Sequence, residues 1–348
     1  MRKKKTVAAK VKQLRELLAG KRMALIILQD NPDPDAIGSA MGLKALLGKV
    51  GEIRTTIAYG GEIGRAENRA MVELLGVKLT PMAEVDRASF DLVAMVDTQP
   101  AANNSLEEND ESSPPTPTVV VDHHPRRPEL RKVTYAHVDT RYGAAATMIT
   151  EYLFHLGITP DKKTATALVY GIKTDTAGLT RKTSLADREA MQYLYPLHLP
   201  EVLARIESEK VPRDYFKDFN KAIEEATIYG KVVFANLGKV QTQETVGEIA
   251  DFLLRLEETE VVLVVGVHEG MLALSCRTEE GGTHDAGAIM ETVVGEQGSG
   301  GGHRTMAGGR IPLPKRSTRK DQDDEARQVE TRLINLFGMT RKDQKDLV

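Results

Sequence analysis

Cysteine is nearly absent from this chain, and tryptophan is absent altogether. The single thiol, Cys276, can form no intrachain disulfide, which excludes a disulfide-stapled fold and fits a reducing compartment. It is expected to pack as a small hydrophobe. Aromatic residues make up only 5% of the chain, too few for the stacking platforms that grip long single strands. A large excess of one charge is also missing. The formal net charge of -3 argues against a chain coated by nucleic acid, although it permits a local basic pocket. Long apolar runs are missing too: the stretch Val261 to Val267 is far too short to span a bilayer. The start, Met1 to Lys5, is basic, but no apolar segment follows. Val11, Leu14, Leu17 and Leu18 recur at helical spacing, which reads as an amphipathic helix and not a signal peptide. A cytoplasmic protein with no membrane partner is expected.

What is present is alternation. The chain of 348 residues is long enough for two domains with separate cores. Ala24 to Leu28 reads as a buried strand, Ala36 to Leu47 as a helix, Ile53 to Tyr59 as a strand, and Glu67 to Leu75 as a helix ended by Gly76. Leu92 to Val96 and Val119 to Val121 are short apolar strands, and helices are expected over Ala144 to Leu156 and Lys162 to Ile172. This pattern argues for an α/β fold with a mostly parallel sheet and helices on both faces. Ala101 to Thr118 is polar and rich in Ser, Pro and Asn, and reads as a surface loop. Residues 1–195 form the expected first domain. Residues 196–226 form a charged helical connection broken by Pro200 and Pro212, and 227–348 form a smaller α/β domain. In the latter, Val261 to Val267 and Met271 to Cys276 read as a hairpin turned near Glu269-Gly270. Gly298 to Gly302 reads as a glycine loop, and Asp321 to Phe337 as a polar helix.

Acids and imidazoles stand where apolar strands end. Asn31-Pro32-Asp33-Pro34-Asp35 follows the first strand, Asp97 follows Val96, and Asp122-His123-His124 follows Val119 to Val121. Asp175 follows Gly171-Ile172-Lys173-Thr174, next to a helix, so strand pattern alone does not bring it to the others. Open parallel sheets place ligands beyond the carboxyl ends of their strands. Carboxylates gathered there repel one another unless cations lie between them. Asp-Pro-Asp alone is often a turn, and a strand-end aspartate is often a helix cap. Vicinal histidines after an aspartate at a strand end are harder to explain by packing. Asp33 and Asp35 can serve two neighbouring divalent ions, Asp97 can bridge them, and His123 and Asp175 can complete one. Two ions roughly 3.5–4 Å apart form a clamp suited to phosphoester hydrolysis.

These motifs, in this order, resemble the four motifs of the DHH phosphoesterase family. Gly300-Gly301-Gly302-His303 with Ala307-Gly308-Gly309 resembles the DHH-associated C-terminal domain. The resemblance implies a phosphoesterase with two divalent cations, Mn²⁺ first and Mg²⁺ as the alternative, and an active site in the cleft between two domains. It implies Asp33 on one ion, Asp35 on the other, Asp97 on both, and His123 and Asp175 completing the second. His124 would contact the scissile phosphate or assist the leaving group. One position departs from the family pattern: Gln29 stands where a histidine ligand is usual. An amide oxygen is neutral and a poorer ligand for Mn²⁺ than imidazole, so the first ion is expected to be held more weakly.

Substrate recognition is expected in the second domain. Backbone N–H groups of Gly301 and Gly302 can approach phosphate closely, with His303 and Arg304 beside them. Arg277 can make a bidentate contact to a terminal phosphate. The resemblance supports Arg277 and His303 in that role; Arg304 is added from its position alone. The expected partner is a short RNA or DNA oligonucleotide or a small phosphorylated nucleotide such as adenosine 3′,5′-bisphosphate. The alternatives are a cyclic dinucleotide, its linear product, or a non-catalytic nucleotide sensor. The sequence leaves a homodimer open.

Overall fold

Five consecutive buried residues, Ala24 to Leu28, make the first strand apolar on both faces, as the interior of a covered parallel sheet requires. The computed structural model describes residues 2–102 and 117–348, so most of the expected loop 101–118 lies outside the described residues. The chain divides into two compact units, Met1–Glu209 and Lys210–Val348. The division falls inside the charged stretch 196–226.

The first unit runs α1 (Arg2–Leu18), β1 (Met23–Asp30), α2 (Pro34–Gly51), β2 (Arg54–Gly60), α3 (Ala66–Leu75), β3 (Leu79–Pro81), β4 (Leu92–Val96), β5 (Val119–Asp122), β6 (Tyr135–Val138), α4 (Ala145–His155), α5 (Lys162–Asp175), α6 (Leu185–Leu194) and α7 (Pro200–Glu207). Its six strands form one parallel sheet in the order β3-β2-β1-β4-β5-β6. Strand order therefore reverses between β1 and β4, and loops leaving these neighbours diverge to open a crevice at their carboxyl ends. The main core joins one face of the sheet to α1, α2, α4 and α5. On the other face Leu25, Ile27, Val93, Met95 and Val120 are covered by Met82 and Leu130, from the single 3₁₀ turns Met82–Glu84 and Pro128–Lys132. The amphipathic N-terminal helix buries Val7, Val11, Leu14 and Leu18.

Small residues let α2 lie close to its neighbours. A Cβ on Gly38 would stand 2.5 Å from the carbonyl oxygen of Ala167 on α5, and one on Gly42 would stand 2.6 Å from Ile149 on α4. The first contact is prohibitive without backbone movement, and the second demands a shift of a buried side chain.

The second unit runs α8 (Arg213–Glu225), β7 (Thr227–Tyr229), β8 (Val232–Lys239), α9 (Glu244–Leu253), β9 (Val261–His268), β10 (Met271–Thr278), α10 (Ala286–Val294), β11 (Ser299–Gly302), β12 (Met306–Pro312), α11 (Arg319–Leu336) and β13 (Gln344–Asp346). Its mixed sheet has the order β11-β12-β10-β9-β8-β7-β13, with β8 and β9 parallel and the other pairs antiparallel. The expected hairpin is β9–β10, turned at Glu269-Gly270. Alternate residues of β9 separate two cores. Leu263 and Val265 meet Met290 of α10 and Leu333 of α11, while Val262 and Val264 pack with Ile249 of α9 and Ala222 of α8.

One expectation needs correction, that of the glycine stretch. Pro200 and Pro212 break the charged stretch as expected, each at the start of a helix: Pro200 is the first residue of α7 and Pro212 stands at the N-cap position of α8. Their fixed φ and missing N–H suit the start of a helix. The glycine stretch is not a loop. Ser299–Gly302 is an edge strand paired to β12, and Gly300 makes room for α10, since a Cβ there would stand 2.8 Å from Met290. No helix among the described residues is long and apolar enough to cross a membrane.

Candidate metal centre

Six of the expected site residues, Gln29, Asp33, Asp35, Asp97, His123 and His124, stand at or just beyond the carboxyl ends of β1, β4 and β5. Asp33 is the N-cap of α2, its Oδ1 accepting the N–H of Ala36 at 2.9 Å, and so has the structural role expected of a strand-end aspartate. Its Oδ2 receives the side-chain amide of Gln29 at 3.3 Å, so Gln29 faces the carboxylate it was expected to share an ion with. Asp35 is buried in the first turn of α2. Its Oδ2 and Oδ1 accept the backbone N–H groups of Ala145 at 2.6 Å and Ala146 at 2.8 Å, the otherwise unpaired donors at the start of α4. Asp97 follows β4 in a left-handed conformation (φ 57°), its N–H held by Val121 at 3.0 Å. Asp175 is the last residue of α5 and reaches the same place from a helix.

These side chains converge. Nε2 of His123 lies 3.2 Å from Oδ2 of Asp175, 3.3 Å from Oδ1 of Asp97 and 3.9 Å from Oδ2 of Asp35. Asp35, His123 and Asp175 form one candidate ligand set, and Asp97, His123 and His124 an overlapping one. Nδ1 of His123 donates to the carbonyl oxygen of Tyr142 at 3.3 Å, which leaves Nε2 as the basic nitrogen turned to the acids.

Electrostatics sharpens the reading. Burial first, then the charges of Asp35 and Asp33, raises the Asp97 carboxyl well above the usual range. Burial and then Asp175 do the same to Asp35, and raise Asp33 as well. Burial works against a charge on His123, but Asp175 and Asp97 outweigh it and raise the imidazole well above its ordinary value. Both carboxylate oxygens of Asp97 and Nε2 of His123 are buried without a hydrogen-bond partner among the described residues. Buried polar atoms of this kind are rare, and each costs roughly 1–3 kcal/mol when nothing satisfies it. Hard oxygen donors with one imidazole are the ligand chemistry of Mn²⁺ and Mg²⁺. The residues therefore fit divalent ions.

His124 is held differently. Its Nδ1 lies 2.8 Å from Oδ1 of Asp122, and the same oxygen accepts its backbone N–H at 3.2 Å. Asp122 is buried. The burial alone would raise its carboxyl, but the His124 imidazole holds it below the usual range. The supporting residues had weak sequence signals. Asp122 announced itself beside the histidines, but Gln99, Tyr142 and Asp187 did not. Asp187 is fully buried and accepts Gly143 N–H (3.0 Å), Thr147 Oγ1 (2.6 Å), and Ser184 N–H and Oγ (2.6 and 2.7 Å). It thereby ties α6 to the loop that supplies Tyr142 and to the first turn of α4, which supplies Ala145 and Ala146.

The residues expected to face substrate from the second unit are already engaged. The Arg277 guanidinium is mostly buried, its Nε 2.5 Å from Oδ1 of Asp251 and its Nη1 2.7 Å from Oγ of Ser275. Arg304 donates to the carbonyl oxygen of Gly282 at 2.8 Å. His303 gives its N–H to the carbonyl oxygen of Met306 at 2.7 Å, and Gly301 and Gly302 pair with Gly308 and Ala307.

Comparison with known proteins is consistent across both units. The model of the DHH family, N-terminal domain, matches residues 24–172, and that of the DHHA1 domain matches residues 229–333. The chain is 32% identical over 325 residues to an uncharacterized protein of Methanocaldococcus jannaschii, covering 92% of this chain and 65% of that one. It is 26% identical over 330 residues to the cyclic-di-AMP phosphodiesterase PdeA of Listeria monocytogenes, covering 88% of this chain and 48% of that one. The chain thus spans between about half and two thirds of the length of these relatives. Among solved structures, an exopolyphosphatase-related protein from Bacteroides fragilis superposes with a TM-score of 0.72 at 14% identity. The match covers 94% of this chain and 98% of that one.

Proposed function

The chain belongs to the DHH family and carries a DHHA1 domain, and from that premise we propose that it is a hydrolase of short phosphorylated nucleotides dependent on two divalent ions. The observation that carries this reading is the set of buried, unpartnered atoms on Asp97 and His123, surrounded by Asp35 and Asp175. Asp35, Asp97, His123 and Asp175 would hold one ion, and Asp33, Asp97 and Gln29 the other, with Mn²⁺ preferred and Mg²⁺ accepted. Ions held there would polarise the phosphoryl oxygens and lower the pKa of water toward neutrality.

The chain's own residues do the rest. Asp35, fixed by two backbone N–H groups, keeps its ligand geometry without further reorganisation. His124, oriented by Asp122, protonates the leaving oxygen as water adds to phosphorus and the phosphorus–oxygen bond breaks. For Arg277 to bind a phosphate, as the resemblance implies, it would have to exchange the Asp251 carboxylate for it; Gly301, Gly302, His303 and Arg304 would be its companions in the second unit. The scarcity of aromatic side chains favours linear dinucleotides, very short RNAs and adenosine 3′,5′-bisphosphate over long polymers.

A second reading is a cyclic dinucleotide as substrate. The similarity to the Listeria enzyme, and 26% identity to the cyclic-di-AMP phosphodiesterase GdpP of Geobacillus thermodenitrificans, favours it. Incubation with a linear dinucleotide, a longer RNA, adenosine 3′,5′-bisphosphate and cyclic-di-AMP, each with Mn²⁺ or Mg²⁺, separates the two. Fastest release of mononucleotide from the linear dinucleotide supports the first reading. Preferential opening of the cyclic compound supports the second. Binding without product from any of them would overturn both and leave a sensor.

A further inference from the structure

We propose that Gln99 is a positioning residue that sets the orientation of His124 through Asp122. Gln99 follows β4 two residues after Asp97 and is only 1% exposed. Its Nε2 donates to Oδ2 of Asp122 at 2.5 Å and to the carbonyl oxygen of Pro125 at 3.0 Å. Its Oε1 accepts the N–H of Arg127 at 3.0 Å. Two acceptors face one end of the amide and one donor faces the other, so the partners themselves decide which end is nitrogen. The side chain thus closes a bracket around the turn that carries His124.

The two oxygens of Asp122 are divided between two tasks. Oδ1 receives His124, through Nδ1 at 2.8 Å and the backbone N–H at 3.2 Å. Oδ2 receives Gln99. With one oxygen tethered, the carboxylate plane cannot rotate, and the bond to Nδ1 keeps a single direction. That bond fixes the ring plane and keeps a proton on Nδ1, so the proton passed to the leaving oxygen is the one on Nε2 of the imidazolium, and the neutral ring left behind is the Nδ1–H tautomer. Few side chains of this length can replace the amide. A glutamate would set a carboxylate against Asp122 and the Pro125 carbonyl, with only acceptors meeting. A methionine of similar volume would leave Oδ2 of Asp122 buried without its donor. Gln99 acts through another side chain and not on the reacting atoms.

This inference rests on the assignment of His124 as the group that protonates the leaving oxygen. The test compares Gln99→Met with the parent on two substrates. One is a linear dinucleotide, whose leaving nucleoside oxygen needs a proton. The other is the p-nitrophenyl ester of thymidine 5′-phosphate, whose leaving phenolate needs little help. The expected result is a kcat lowered about ten- to hundredfold on the dinucleotide with KM unchanged, and a loss below about threefold on the ester. In a His124→Ala background, Gln99→Met should add less than about twofold. Imidazole ¹⁵N spectra of the Mg²⁺-loaded protein give a readout independent of turnover: the neutral form of His124 should be a single Nδ1–H tautomer in the parent and a mixture in Gln99→Met. Should the Met variant not fold, Gln99→Asn, whose amide is one methylene short of Asp122, replaces it in the same comparisons. Equal losses on both substrates, additivity with His124→Ala, or an unchanged His124 spectrum would overturn the proposal. If the parent hydrolyses nothing, the functional reading fails and the spectra alone decide the role of Gln99.

Discussion

Nε2 of His123 stands 3.2 Å from Oδ2 of Asp175, though one residue follows a strand and the other ends a helix. The contact closes the centre on the side that the sheet does not supply. With His124, whose Nδ1 lies 3.6 Å from Oδ1 of Asp97, this imidazole faces several buried acids.

Asp97→Asn should separate stability from function. A carboxyl whose folded pKa lies above its unfolded value favours unfolding once the pH exceeds the unfolded value, and Asp97 is shifted upward. Without divalent ions at pH 7, the variant should be more stable than the parent by on the order of 1 kcal/mol. With Mn²⁺ at a hundred times its Kd, the parent should gain about 2.7 kcal/mol and the variant much less. Thermal unfolding with and without Mn²⁺ checks both signs, and a variant that gains as much as the parent would remove Asp97 from the ligand set.

Gln29→His should strengthen the first ion site of the proposed pair. Gln29 already points at Asp33, and an imidazole there is a better ligand for Mn²⁺ than an amide. Calorimetric titration should show one of two sites tightened roughly tenfold, about 1.4 kcal/mol, with the other unchanged. Identical isotherms for parent and variant would show that the first ion does not use this position.

Asp187→Ala should damage the centre from a distance. The carboxylate holds Gly143, Thr147 and Ser184, and so the loop and first turn of α4 that grip His123 and Asp35. Stability should fall by about 2–4 kcal/mol, because several buried donors lose their acceptor. Mn²⁺ affinity should fall with it, and Asp187→Asn should recover part of both. Unchanged metal affinity in a folded Ala variant would disconnect that loop from the ligands.

His137 should make the fold sensitive to mild acid. Burial, and next the charge of Lys10, lowers its pKa to about 4, and Nδ1 sits 2.6 Å from the hydroxyl of Tyr152. An unfolded histidine titrates near 6.5. Between these values the unfolded chain binds a proton that the native one refuses, so stability falls as pH drops through the window. The slope attributable to this group is at most about 1.4 kcal/mol per pH unit. Denaturant unfolding of parent and His137→Asn should show a shallower decline between pH 6.5 and 4 in the variant; parallel curves would count against a buried neutral imidazole.

Legibility in the sequence followed local physics. The strands at Ala24 to Leu28, Leu92 to Val96 and Val119 to Val121 could be read because both their faces are buried, which forces unbroken apolar runs. Asp33, Asp97, His123 and His124 could be read because they follow those runs directly. The glycines of β11 misled, since glycine that admits a packed helix looks the same in sequence as glycine in a loop. Pro200 and Pro212 did mark the breaks in the charged stretch, each at the start of a helix.

The sequence by itself determined the alternation of strands and helices, the family motifs and the ligand types, because these depend on periodicity and residue chemistry within short windows. Only the tertiary structure decided which donors serve which acids. The N–H groups of Ala145 and Ala146 meet Asp35 across more than a hundred positions, Gln99 reaches Asp122 from 23 positions away, and Asp251 occupies Arg277. Such partnerships depend on where helix ends and strand ends are brought together in space, and no spacing along the chain records that.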